Sequence, residues 1–259
     1  MEQILNHKVY GANGDSLFIV HGIFGMLDNW QYHAKLLSKS HQVVSIDARN
    51  HGKSFHADSM SYDEMAEDIV RLADHLNISK FHLLGHSMGG KIAMRVAEKF
   101  PDRLQSLVVV DIAPKSYPAG HVPYFKAFLD LPLHNYLSRA EVDEAFAQYA
   151  PDKGVRQFLL KNLEINPEGG GYRTKSNMRS IQKFYEEMIG DFDLSKDAYM
   201  GQVLFITGAK SAYVKEEDKF KIRSAFPKVS FEQVPRAGHW VHAENPQEFY
   251  QKLLGGLQA

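Results

Sequence analysis

The segment Phe81-His82-Leu83-Leu84-Gly85-His86-Ser87-Met88-Gly89-Gly90 sets Gly-x-Ser-x-Gly between a run of strand composition and a helical pattern beginning near Lys91. A strand that turns at once into a helix leaves little space around the turn, so small residues are needed two positions before and two after the serine. Such a turn lifts the Ser87 hydroxyl above the edge of a sheet at a helix N-terminus, the placement of a nucleophile. The bare pattern arises by chance in about one chain in ten at average glycine and serine usage. Its surroundings therefore decide its meaning.

Those surroundings alternate strand and helix. Leu17–Val20, Val43–Ile46, Phe81–Leu84, Leu107–Val110, Val203–Thr207 and Val229–Val234 read as short buried strands. Tyr62–Leu76 between them carries Met65, Ile69, Leu72 and Leu76 at helical spacing, with Ser61 and Glu64 as a capping box. Alternation of this kind predicts an α/β fold whose mostly parallel sheet is covered by helices on both faces. The alternation stops after Ala113 and resumes near Ala198. Tyr124–Leu131, Arg139–Tyr149, Val155–Leu163 and Met178–Met188 read as helices there, separated by Pro118, Pro132, Pro151 and the Gly169–Gly171 turn. The expected organisation is a core of residues 1–113 and 199–259 with a helical cap, residues 114–198, over the sheet.

Composition narrows the function classes. Hydrophobic residues at 44% and charged residues at 24% suit one soluble globular core in 259 residues. Thirty basic against thirty-one acidic residues give no field to attract nucleic acid or an anionic membrane. The chain has no cysteine, which excludes disulfides, thiolate zinc sites and a cysteine nucleophile. No signal-peptide pattern or membrane-spanning run is found, and a cytoplasmic location is expected.

Three further segments fit the chemistry of Ser87. His21-Gly22-Ile23-Phe24-Gly25 follows the first predicted strand, where an oxyanion hole forms; one backbone N–H is assigned to Met88 and the other to Ile23 or Phe24. Gly238-His239-Trp240 follows the last strand, and His239 is the expected general base, with His242 its competitor. For the orienting carboxylate, the usual loop after Val203–Thr207 contains no acid and carries Ser211 in its place. One strand earlier Val110-Asp111-Ile112 puts Asp111 at the mouth of a buried strand, where an unpaired carboxylate is costly. Asp111 is therefore paired with His239, and Ser211 is expected to add a hydrogen bond to either.

With HGIFG at His21–Gly25, DARNHGKS at Asp47–Ser54, GHSMGGK at Gly85–Lys91 and VDIAP at Val110–Pro114, the chain resembles the α/β-hydrolase esterases of the bacterial YbfF and ABHD11 group. The resemblance covers the chain outside the cap. It implies carboxylester hydrolysis without metal or organic cofactor, and a cap inserted after the sixth strand, where Asp111 stands. Asn50, His51 and Lys91 belong to these motifs and are read as structural or pocket-edge residues.

The cap sets the substrate, and here the sequence offers only candidates. Tyr117, Tyr124, Phe125, Phe128 and Tyr136 are candidate acyl-pocket residues. Arg173, Lys175, Arg179 and Lys183 form a basic run in which Arg179 and Lys183 share a helical face, suited to the phosphates of an acyl-CoA thioester. Acids slightly outnumber bases across the whole cap, which equally fits a solvated face. The pairs His51/His56 and His82/His86 lack convergent carboxylates and are not read as metal ligands. The expected partner is a small acyl ester or thioester substrate, and the chain is expected to be a monomer or small homo-oligomer. Carbon–carbon bond hydrolysis, lyase chemistry and a non-enzymatic small-ligand receptor stay open on the same residues.

Overall fold

A computed structural model describes residues 3–257. Seven strands form one sheet: β1 (His7–Tyr10), β2 (Ser16–Val20), β3 (Gln42–Ile46), β4 (Phe81–His86), β5 (Leu104–Val110), β8 (Gln202–Gly208) and β9 (Val229–Val234), in spatial order β1-β3-β2-β4-β5-β8-β9. All neighbouring pairs are parallel except β1 with β3. The antiparallel edge strand is not apparent in the sequence. His7 and Lys8 make it polar, and an edge strand paired on one side needs no apolar run.

The central strands are buried on both faces, which explains their near-continuous Val, Ile, Leu and Phe content. Phe18, Val20, Val44, Ile46, Leu83 and Val109 face α2 (Tyr62–His75) and α3 (Met88–Lys99). Their neighbours Leu17, Ile19, Val43, Leu84, Val108 and Val110 face α1 (Gln31–Leu37) and α11 (Pro246–Leu257). Helix α2 opens with the expected capping box: the Ser61 hydroxyl accepts from the Glu64 N–H at 3.2 Å and the Glu64 carboxylate accepts from the Ser61 N–H at 2.9 Å.

Between β5 and β8 lie α4 (Val122–Leu129), α5 (Arg139–Phe146), α6 (Lys153–Leu160), α7 (Met178–Lys183) and α8 (Tyr185–Ile189). Two readings of this segment are corrected. The helix expected over Val155–Leu163 ends at Leu160, because the buried Asn162 turns its amide to the Phe24 carbonyl and its carbonyl oxygen to the Ser176 hydroxyl. Leu163 then enters a small antiparallel hairpin, β6 (Leu163–Ile165) with β7 (Tyr172–Thr174), turned by Gly169, Gly170 and Gly171, all at positive φ. The helix expected over Met178–Met188 is broken at Phe184 into α7 and α8. The strand leading into this segment, the sixth by the family count, is the fifth described here in chain order.

Strand order reverses at β2: β3 lies on one side and β4 on the other. At such a switch point the loops after the two central strands separate and leave a crevice beyond the sheet's C-terminal edge. The loop after β2 is His21–Gly25, and the loop after β4 is Ser87. The remaining two helices are α9 (Asp218–Ala225) before β9 and α10 (Val241–Glu244) after it, and the loop from β9 to α10 carries His239.

Candidate active site

Ser87 sits between β4 and α3 at φ 53° and ψ −119°, a conformation that costs a non-glycine residue roughly 1–3 kcal/mol. The turn is over-determined. The Ser87 N–H donates to the Val110 carbonyl at 3.0 Å, and the Ser87 carbonyl accepts from the N–H groups of Gly90 (2.8 Å) and Lys91 (3.2 Å). A Cβ on Gly85 would collide with the Gly89 carbonyl, and one on Gly89 with the Val20 carbonyl. That collision is the physical content of the Gly-x-Ser-x-Gly spacing.

The carboxylate of Asp111 is fully buried at the end of β5, also at positive φ (51°). Its Oδ2 accepts from His239 Nδ1 at 2.7 Å and from the Ser211 hydroxyl at 2.5 Å, and its Oδ1 accepts from the Gly208 N–H at 3.2 Å. Three donors, from the end of β8, the loop after it and the loop after β9, thus replace the water the carboxylate has lost. With Nδ1 donating to Asp111, the His239 Nε2 is left to accept a proton. No hydrogen bond joins Ser87 to His239 among the described residues, but both line one cavity of about 710 Å³.

Ile23, Phe24 and Met88 line that cavity too. Among the described residues no hydrogen bond takes their backbone N–H groups. Phe24 is held at φ 59°. Around it, the Gly25 N–H donates to the Gly22 carbonyl at 2.9 Å, and His21 Nδ1–H donates to the same carbonyl at 2.7 Å. His21 Nε2 accepts from the Ala48 N–H at 3.1 Å, and Asn162 of the cap donates to the Phe24 carbonyl at 2.7 Å.

Residues 15–246 match the family described as the alpha/beta hydrolase fold. The chain belongs to that family. It is 36% identical over 267 residues to the sn-1-specific diacylglycerol lipase ABHD11 of Danio rerio, covering 98% of this chain and 82% of that one. It is 34% identical over 235 residues to the esterase YbfF of Escherichia coli, covering 90% and 89%. Among solved structures, a marine microorganism esterase superposes with a TM-score of 0.93 at 35% identity, over 98% of this chain and 100% of that one.

Within this α/β-hydrolase frame the structure brings Ser87, Asp111, His239, Ser211, Met88, Ile23 and Phe24 to one place. Tyr124 and Tyr117 line the cavity, joined by Phe158, Tyr185 and Tyr213. The expected substrate residues Phe128, Arg179 and Lys183 do not. Phe128 is buried in the cap core, 5.2 Å from the Phe146 ring and 5.8 Å from that of Phe24. Arg179 and Lys183 are exposed on α7, outside the cavity wall. Phe125 is likewise cap core, and Tyr136 is off the cavity. His242, the competitor of His239, has its ring stacked on Trp30 at 4.1 Å and is buried.

Other motif residues serve as framework. Asp47 accepts from the Leu27 N–H (2.7 Å), the Lys53 N–H (2.9 Å) and the Asn6 amide (2.7 Å). Arg49 forms a two-pronged pair with buried Asp68, at 2.6 and 2.9 Å. Asn50 and His51 are buried beside them and do not reach the cavity. Lys91 does: its buried ammonium donates to the carbonyls of Met188 (3.2 Å) and Gly190 (3.4 Å), and burial pushes it down to about 8. His82 and His86 are spent on other partners, the Ser106 hydroxyl (2.7 Å) and the His239 carbonyl (2.9 Å). Among the described residues no group of three or more His, Asp or Glu side chains is placed to hold a metal.

Burial keeps the histidines around the site neutral. It pushes His21 and His121 down to about 4, and His51 and His86 to about 3. In the unfolded chain each takes up its proton near pH 6.5. Between pH 6.5 and about 4 the unfolded state therefore binds more protons, and stability falls as the pH falls, by up to about 1.4 kcal/mol per histidine per unit. Thermal melts from pH 8 to 4.5 are expected to show a Tm that is level above pH 7 and drops steeply below 6.5. A level Tm down to pH 5 contradicts this burial.

Proposed function

We propose that this hydrolase cleaves carboxylic esters through an acyl-enzyme on Ser87. The observation that carries the reading is the buried Asp111 carboxylate, 2.7 Å from His239 Nδ1, at a cavity whose wall also presents the strained Ser87 and three free backbone N–H groups. In this mechanism Ser87 Oγ attacks the acyl carbonyl while His239 Nε2 takes its proton. The oxyanion is held by the N–H of Met88 and that of Ile23 or Phe24. His239 returns the proton to the leaving alcohol, and a water activated by the same imidazole releases the acid. Asp111 sets the tautomer and stabilises the imidazolium, and Ser211 supports Asp111.

The ester bond is supported by relatives that are themselves named lipase or esterase. Residues 114–198 act in this reading as a lid, whose Tyr117, Tyr124, Phe158 and Tyr185 supply an apolar wall for an acyl chain. Acyl-CoA thioesters are the lesser substrates, because Arg179 and Lys183, the residues suited to the phosphates, are exposed and do not line the cavity.

Steady-state hydrolysis of p-nitrophenyl esters from acetate to palmitate, beside acyl-CoA thioesters of matched length, tests the reading. Sustained ester turnover that Ser87→Ala abolishes, with an unchanged melt, is expected. Turnover that survives Ser87→Ala, or none on any ester, contradicts it. In the same assay Asp111→Asn is expected to lower kcat about a thousandfold or more, since it removes the acceptor that fixes the histidine tautomer. Ser211→Ala is expected to cost roughly tenfold, the worth of one hydrogen bond to a charged group. The reverse ranking removes Asp111 from the triad.

A further inference from the structure

The loop after β8 is where this fold commonly keeps its acid, and here it supplies Ser211 and, two residues on, an aromatic ring. Tyr213 lies face to face with the His239 imidazole, ring centroids 3.6 Å apart and planes within 13°. It is stacked in turn with Tyr117, at 5.2 Å and 27°. Both backbone groups of Tyr213 are tied to this region: its N–H donates to the Ser211 hydroxyl at 3.2 Å, and its carbonyl accepts from the Tyr117 hydroxyl at 2.9 Å. Tyr117 also accepts from the Ala113 N–H at 2.8 Å and through its own N–H donates to the Ile189 carbonyl of the cap at 2.7 Å. The ring on His239 is thus braced by the acid's own hydrogen-bond partner and by the base of the cap.

Resting on the esterase reading, we propose that Tyr213 is a positioning residue for the general base: its ring face holds the His239 imidazole against Asp111 and favours the imidazolium over the neutral ring. The imidazole becomes a cation in both halves of the reaction, and a π face lying parallel to it is attracted to that charge. The same face blocks rotation that would turn Nε2 away from Ser87. Burial pushes the Tyr213 phenol up to about 12, so the ring stays neutral through any assay range.

The other groups around His239 leave this effect readable. Asp111 is its counter-ion from β5. His86 from β4 lies 4.8 Å away ring to ring, His121 faces it from the cap, and His242 from α10; burial keeps all three neutral well below pH 6. Glu244 holds its loop through the N–H groups of Gly238 and Trp240. Lys161 of the cap shares the cavity wall. None of these groups is itself replaced in a Tyr213 variant.

The test is the pH profile of kcat/KM on a p-nitrophenyl ester for the wild type, Tyr213→Phe and Tyr213→Leu. Phe keeps the ring, and its acid limb is expected to coincide with the wild type's. Leu is expected to move that limb to lower pH by about half a unit to one unit, as loss of a cation–π contact requires. Its kcat is expected to fall roughly tenfold with KM little changed. If Leu lowers the melting temperature, Tyr213→Met fills similar volume without a π face and carries the same comparison. A limb that stays in place when the ring is removed, whatever kcat does, overturns the proposal, as does a Phe variant that shifts as far as Leu. Failure of the wild type to cleave any ester strikes the esterase reading instead. The limb is then read from the pH dependence of Ser87 labelling by a fluorophosphonate.

Discussion

A fully buried carboxylate organises this molecule's functional edge. Asp111 sits where β5 ends, with no exposure to water, and its oxygens accept from groups on the loops after β8 and β9. Removing water from a carboxylate costs several kcal/mol unless donors replace it. Three donors do so here: the Gly208 N–H, the Ser211 hydroxyl and the His239 imidazole. The carboxylate therefore gathers three separate β–α loops into one geometry. The Ser87 turn joins the same frame because its N–H bonds to Val110, the residue before Asp111.

The opposite wall is built on a different principle. The loop His21–Gly25 contains no charge, and its shape is held by neutral hydrogen bonds: His21 to Gly22 and Ala48, and Asn162 of the cap to Phe24. A histidine kept neutral by burial offers one donor and one acceptor at once, and His21 uses both. Through its bond to Phe24, Asn162 links that loop to the chain just past the end of α6.

Much of this was legible in the sequence, for physical reasons that differ by residue. Ser87 was readable because the elbow is sterically intolerant of anything but glycine at 85 and 89. Asp111 was readable by the cost of an unpaired carboxylate at the mouth of a buried strand, and Ser211 by its standing in a loop with no acid. The cap was less readable. Aromatic residues at helical spacing fit a core and a pocket equally, and the structure sends Tyr124 to the pocket and Phe128 to the core. Arg179 and Lys183 do share a face, but periodicity cannot say which way that face turns. Tyr213, His21 and Asn162 act through contacts between segments distant in sequence, and a single tyrosine or asparagine in a loop carries no pattern that announces such a contact. The edge strand His7–Tyr10 was missed because pairing on one side demands so little of its side chains.

The claim on which the rest stands is that Ser87 is the nucleophile activated by the His239–Asp111 pair. Intact-mass and peptide analysis after treatment with a fluorophosphonate tests it most directly. The account predicts one adduct per chain, on the peptide containing Ser87, formed far more slowly in Asp111→Asn and not at all in Ser87→Ala. An adduct on another residue, or labelling of Ser87 at the same rate when Asp111 is changed, would contradict it.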